Sequence, residues 1–270
     1  MNYPEYTNHL SSCKSPHEMF GAILKTYYAK QQNIEPSKMF VVSVMPCIAK
    51  KYERQREEMN QEVDAVITTR ELARMIKQAK IDFVNLEDSK FDDPMGEATG
   101  AAAIFGVTGG VMEAALRSIS EIVTGKPLQK NEFEQVRGKT GIKKAEIQLE
   151  NKKVKVAVAH GLANAKIIME EIKNGTADYQ FVEIMACPGG CITGGGQPIK
   201  SAKIQEEIDV HKKRAQAMYT IDEKSVIRKS HENPTLKKIY EEFLGKPNGE
   251  LAHKLLHTHY SEKPKYKFVK

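Results

Sequence analysis

The 270-residue sequence carries four thiols, Cys13, Cys47, Cys187 and Cys191. Two stand four apart in Met185-Ala186-Cys187-Pro188-Gly189-Gly190-Cys191, and Gly194-Gly195-Gly196-Gln197-Pro198 follows. Thiolates are soft ligands that suit zinc, copper(I) and iron–sulfur clusters. Two cysteines at this spacing reach neighbouring corners of one cluster where the backbone turns sharply, a turn that Gly189 and Gly190 permit. The triple glycine lets the chain pass close to a bulky cofactor. Other readings fit the parts taken singly. The pair alone could be a redox pair or half of a zinc site, although zinc favours Cys-x2-Cys with a second such pair. The glycines alone could bind an anion. Cys47 or Cys13 alone reads as a small structural thiol.

The elements around these thiols give them a place. Met39–Val44 is a short apolar run that predicts a buried strand, stopped by Pro46, so Cys47 falls on a loop. Tyr179–Met185 predicts a strand running directly into Cys187. Both thiols therefore follow the carboxyl end of a strand, where open α/β sheets place their ligand sites. Ser15 and Glu18 predict a capping box for a helix from Pro16 to about Lys30. Val63–Ile67 reads as a strand, followed by a helix capped by Thr68 and Glu71. Residues 87–99 read as an acidic irregular loop, and 101–120 as an apolar, glycine-interrupted stretch ending in a helix. Ala145–Leu149 and Val154–Ala159 predict a hairpin around Asn151-Lys152. A helix from about Ala163 stops at Asn174-Gly175. Beyond Pro198 the chain is charged and mostly helical, with a break at Asn233-Pro234, a stop at Gly245 and a last helix near Glu250. Alternating strands and helices indicate the α/β class.

Composition excludes several classes. Hydrophobic residues make up 40% and charged residues 28%, as in ordinary globular proteins, which excludes general disorder. No apolar run reaches the length of a membrane span, and the first 30 residues hold no signal-peptide core. A cytoplasmic protein is expected. The net charge of +6 is dispersed, unlike a nucleic-acid footprint, and could steer an acidic protein partner. No P-loop or dinucleotide fingerprint is present. His253, His257 and His259 form a loose group on an expected solvated helix, a weak metal candidate.

Together the motifs are far more specific. Met45-Pro46-Cys47-x-x-Lys50-x-x-Glu53 and Met185-Ala186-Cys187-Pro188-Gly189-Gly190-Cys191 resemble two of the three signature motifs of the FeFe-hydrogenases. Leu10–Tyr27, Thr68–Ala73, Phe105–Arg117, Ser230–Asn233 and His257–Tyr260 resemble the family as well, so the likeness covers essentially the whole chain. It implies a two-lobed iron-hydrogenase-like fold with mixed sheets flanked by helices. The expected parts are a first lobe over 1–105, a second over 106–200 and a C-terminal helical segment over 201–270. It also implies an H-cluster: a 4Fe-4S cubane joined through a cysteine sulfur to a di-iron unit with CO, cyanide and dithiolate ligands. By resemblance, Cys47 and Cys187 ligate the cubane and Cys191 bridges cubane and di-iron unit. Lys50 donates to a cyanide, and Met45, Met185 and Phe105 enclose the di-iron unit. Ser11 belongs to the proton path. The implied activity is interconversion of H2 with protons and electrons, with a ferredoxin-like electron carrier and hydrogenase maturation factors as partners. A non-catalytic iron–sulfur sensor or assembly protein is the other reading.

The family's first signature, Thr-Ser-Cys-Cys-Pro-x-Trp, belongs just upstream of the segment matching Leu10-Ser11-Ser12 and is not in the sequence. It supplies the fourth cubane ligand and a proton-relay cysteine. The sequence thus reads as the C-terminal part of a hydrogenase catalytic domain, a fragment or a split-gene product. It is expected to need an upstream segment or subunit and to be inactive alone.

Overall fold

The computed structural model describes residues 2–128, 130–150 and 152–262. In chain order the regular elements are α1 (Pro16–Ile23), α2 (Ala29–Gln31), β1 (Val42–Met45), α3 (Ala49–Glu53), β2 (Ala65–Thr68), α4 (Thr69–Gln78), α5 (Gly100–Ile104), α6 (Gly110–Thr124), β3 (Ile142–Leu149), β4 (Lys152–His160), α7 (Leu162–Lys173), β5 (Phe181–Met185), α8 (Ala202–Glu207), α9 (Val210–Lys224), α10 (Pro234–Ile239) and α11 (Glu250–Leu256). The chain is α/β, as expected, and residues 87–99 hold no regular element.

Contacts divide the chain into two units, one of residues 1–67 with 238–270 and one of residues 68–237. These units cut the chain differently from the lobe boundaries expected at 105 and 200. The cause is packing: α9 lies against α5 within the larger unit, whereas α11 lies against α1 within the smaller.

The larger unit is built on a three-stranded mixed sheet of order β3-β4-β5. β3 and β4 form an antiparallel hairpin in register from Ile142↔Ala159 to Leu149↔Lys152. Asn151, half of the expected turn, lies outside the described residues. β5 runs parallel to β4, from Val156↔Phe181 to His160↔Met185. Parallel neighbours need a crossover, and α7 provides it. Met112 and Leu116 of α6 pack with Val156 and Val158 on one face of the sheet, and Ile168 of α7 packs with Ala157 and Ala159 on the other. β4 is covered on both sides, which explains its near-continuous apolar run.

A buried charge network fixes α6 to α9. Arg117 of α6 is fully buried and donates to both oxygens of Asp222 at 2.8 Å and to Glu113 at 2.6 Å. Arg137 also holds Glu113, and Arg228 also holds Asp222. Each buried charge here has opposite-sign, hydrogen-bonded partners, the condition under which burial of ions is tolerated.

In the smaller unit, α1 continues through a wider π-type turn, Leu24–Tyr28, into α2. Its buried side chains include Ile23, Tyr27, Met59 and Val63. Two expectations are corrected here. The capping box at Ser15 is not formed: Ser15 makes no cap and donates instead to Glu53 at 2.8 Å, while Glu18 is fully buried. Nor is the apolar strand buried throughout. β1 starts three residues later than expected, and Val42 and Val44 are 46% and 43% exposed while Ser43 faces inward. β1 pairs only with β2 among the described residues, and the face that carries Val42 and Val44 is exposed. The capping box at Thr68 and Glu71, by contrast, is complete.

Candidate metal centre

In the larger unit the Cys187–Cys191 loop leaves the carboxyl end of β5. Gly189 and Gly190 both take left-handed backbone conformations, with φ of 82° and 102°. The Gly190 N–H closes a tight turn on the Cys187 carbonyl at 3.0 Å. This loop is laced to the turn after α5, where Phe105 sits: Thr108 N–H donates to Gly189 O, and Ile192 N–H donates to Gly106 O, each at 3.0 Å. A Cβ on Gly190 would stand 2.7 Å from Thr108 N and 2.8 Å from Gly106 O, so only glycine allows this approach. Phe105 is partly buried against a small core cluster of Ala101, Ile104 and Ala114. The fold thus brings Phe105 to the same turn assembly as Cys187 and Cys191, and Met185 to the strand end that feeds it.

Glu183 anchors the base of the loop. It lies two residues before Met185 and accepts the N–H groups of Gly109 and Met112 at 2.6 and 2.7 Å, capping α6. Burial pushes its carboxyl up, and those N–H donors oppose the shift. Burial also pulls the nearby Lys143 ammonium down to about 8, against the attraction of Glu183. The glycine-rich continuation is held by arginines. Arg70 of α4 donates to Gly195 O at 2.6 Å, and Arg214 of α9 donates to Ile192 O and Pro198 O at 2.9 Å. His211 faces Gly189 so closely that a Cβ there would overlap its Nε2. Glu183, Arg70, Arg214 and His211 were not among the residues that sequence reasoning singled out, because nothing local to them announces contact with a loop far along the chain.

In the smaller unit, Cys47 follows β1 directly and is partly buried, and Met45 ends the strand. Lys50 lies on α3, where its ammonium donates to Glu53 Oε2 at 2.6 Å. The same oxygen accepts from Ser15 Oγ at 2.8 Å and lies 2.9 Å from His17 Nε2. Burial pushes the Glu53 carboxyl up, but the bonds from His17, Lys50 and Ser15 outweigh it and hold it at about 2. The i,i+3 spacing of Lys50 and Glu53 was a readable signal for their pairing; the roles of Ser15 and His17 were not readable. Ser11 is exposed, and its hydroxyl accepts the Cys13 N–H at 3.3 Å. Cys13 is exposed and its backbone bridges to His257. His257 stacks on His253 and contacts Ser12 Oγ at 2.8 Å, a structural use of the histidine group.

None of the four cysteines is in a disulfide. Three of them, Cys47, Cys187 and Cys191, stand on loops that follow strand ends, and the donor set they offer is soft sulfur throughout. That chemistry fits an iron–sulfur cluster. Among the described residues no helix is long and apolar enough to cross a membrane.

Residues 1–195 match the family described as "Iron only hydrogenase large subunit, C-terminal domain", and residues 208–263 match "Iron hydrogenase small subunit". The "NADP-reducing hydrogenase subunit HndD" of Solidesulfovibrio fructosivorans is 51% identical over 96% of this chain and 44% of its own length. "Protein NAR1" of Arabidopsis thaliana is 33% identical over 93% of this chain and 56% of its own. Among solved structures, apo FeFe-hydrogenase HydA1 from Chlamydomonas reinhardtii is similar with a TM-score of 0.79 and 40% identity, covering 96% of this chain and 71% of that one. The chain spans about half the length of the curated relatives it matches.

Proposed function

The chain belongs to the iron-only hydrogenase large-subunit family, and from that premise we propose that it forms the part of a hydrogenase that holds the H-cluster. Cys47 and Cys187 ligate the cubane, and Cys191 joins cubane and di-iron unit. When bound, this cofactor supplies the bond chemistry that interconverts H2 with protons and electrons. The chain's own residues hold and insulate it. Met45, Met185 and Phe105 exclude water. Lys50 presents a fixed ammonium to an anionic ligand, a charge-assisted hydrogen bond in a dry setting. Ser11 contributes a hydroxyl to the proton path. A ferredoxin-like carrier exchanges electrons with the cofactor, maturation factors insert it, and a segment bearing the first signature motif supplies the fourth cubane thiolate. The cytoplasm is the proposed location, since thiols there stay reduced and able to ligate iron.

One observation carries this reading: the lacing of the Gly106–Thr108 turn to the Cys187–Cys191 loop through glycines that admit no side chain. This lacing ties the loop that carries Cys187 and Cys191 to the turn that follows Phe105, which supports reading them as one site. The test is anaerobic reconstitution with ferrous iron and sulfide, with iron and acid-labile sulfide measured, followed by maturation together with a segment carrying Thr-Ser-Cys-Cys-Pro-x-Trp. The expected results are little iron on the chain alone in the first step, and both iron and H2 from reduced viologen once the segment is present in the second. A chain that takes up zinc alone, with no sulfide, overturns the assignment.

A 30% identical relative, "Cytosolic iron-sulfur assembly component 3" of Pongo abelii, supports a second reading, a non-catalytic iron–sulfur sensor or assembly protein. A full cubane with no CO or cyanide infrared bands after maturation would select it.

A further inference from the structure

Among the described residues of the smaller unit, Glu18 stands out as a buried polar group left unsatisfied. It is 0% exposed, and neither carboxylate oxygen has a hydrogen-bond partner. Buried polar groups are almost always paired, and an orphan calls for an ion, a water or a special role. Lys14, whose charge acts on Glu18, is bonded instead to both oxygens of Glu62 at 2.7 and 2.8 Å. His17 beside it is buried too, with Nδ1 unpartnered.

The three side chains converge. His17 Nε2 stands 2.9 Å from Glu53 Oε2 and 3.5 Å from Glu18 Oε1, and one ligand atom from each residue falls within a 4.8 Å cluster. Ligands held about 2.0–2.2 Å from one ion lie roughly 3.0–3.5 Å from each other, so His17 is already at coordination spacing from both carboxylates.

We propose that His17, Glu18 and Glu53 form a binding site for a divalent transition-metal ion, distinct in its ligands from the cysteines and in competition with the Lys50 ammonium. The imidazole-and-two-carboxylate set suits ions such as Mn2+, Fe2+ or Zn2+ rather than a soft cluster. Lys50 now supplies the positive charge on Glu53 Oε2 at 2.6 Å. An entering ion takes over that oxygen and satisfies Glu18 as well. Burial pushes the Glu18 carboxyl up, and an entering cation opposes that shift. Displacing Lys50 would make cofactor retention sensitive to free divalent metal; that consequence, unlike the site, rests on the hydrogenase reading.

The test uses the 270-residue chain under reducing conditions and Mn2+ as the probe, followed by loss of the free-ion six-line paramagnetic resonance signal. Thiolates are poor ligands for Mn2+, so the cysteines do not interfere. One equivalent should bind. Glu18→Gln should weaken binding at least about tenfold with an unchanged circular dichroism spectrum, and Lys50→Ala should tighten it. If Glu18→Gln does not fold, His17→Gln serves as the second variant, with the same expected loss. Absence of Mn2+ binding, binding indifferent to both Glu18→Gln and His17→Gln, or weaker or unchanged binding in Lys50→Ala overturns the proposal. None of these readouts involves the cofactor, so failure here leaves the hydrogenase reading standing.

Discussion

Thr108 donates its backbone N–H to the carbonyl of Gly189 at 3.0 Å, which ties the turn after Phe105 to the loop between Cys187 and Cys191. The bond runs between main-chain atoms 81 positions apart, so it depends on how closely the two backbones approach. Gly190, next in the loop, sets that approach.

Gly190→Ala should therefore destabilise the chain and loosen the cysteine loop. The new Cβ meets Thr108 N and Gly106 O inside 3 Å, and an L-residue at φ of 102° is strained. Strain of this kind costs about 1–3 kcal/mol. Thermal unfolding should show the loss, and iron held once the segment with the first signature motif is present should fall with it. A variant with unchanged melting and unchanged iron would show that the lacing is not needed.

In a chain completed by the segment carrying the first signature motif and matured, Cys191→Ser should fail to retain the di-iron unit and so lose iron, whereas Cys13→Ser should retain it. A hydroxyl is a harder and poorer ligand than a thiolate, and Cys13 sits at an exposed backbone bridge to His257. Colorimetric iron on both variants decides. Equal losses would make Cys13 a ligand.

Arg117→Met should cost about 3 kcal/mol in urea unfolding, the low end for breaking a buried ion network. Glu113 and Asp222 would lose a fully buried partner, but Arg137 and Arg228 would still hold them. A change under about 1 kcal/mol would mean the outer arginines suffice.

Glu53 should give the acid limb of stability a distinct component. Its carboxyl is held at about 2 in the folded chain against an ordinary 4.5. A depressed carboxylate stabilises the fold at pH above its unfolded value, and that contribution is lost as pH falls from about 4.5 toward 2. The full effect is on the order of 3 kcal/mol. Glu53→Gln should be less stable at neutral pH and flatter across that window. Parallel pH–stability curves for the two proteins would remove Glu53 as the cause.

Local patterns were legible without a structure. Apolar runs ending at Pro46 and Met185 put Cys47 and Cys187 just past strand ends, and both strands formed. Thr68 and Glu71 made the capping box their spacing announced, because both partners lie within one helical turn and nothing else claims them. The glycine pair in the second loop was readable as a sharp turn, since φ near 82° and 102° is a demand that only glycine meets without strain.

The remainder depended on which distant groups met. Ser15 and Glu18 have the same three-residue spacing as a capping box, yet Ser15 turned to Glu53, 38 positions away, and Glu18 went into the interior. A strong charge-assisted bond to a partly buried carboxylate outcompetes a neutral helix cap. Arg117 reads in sequence as one basic residue of a helix, but it is fully buried because Asp222, 105 positions on, is folded against it. Motif and periodicity record what a residue can do with its neighbours in the chain. Whether a charge is solvated, paired or left unsatisfied is set by the elements packed around it, because desolvation and Coulomb attraction act through space. Tertiary packing therefore decided the fates of Ser15, His17, Glu18, Glu53 and Arg117.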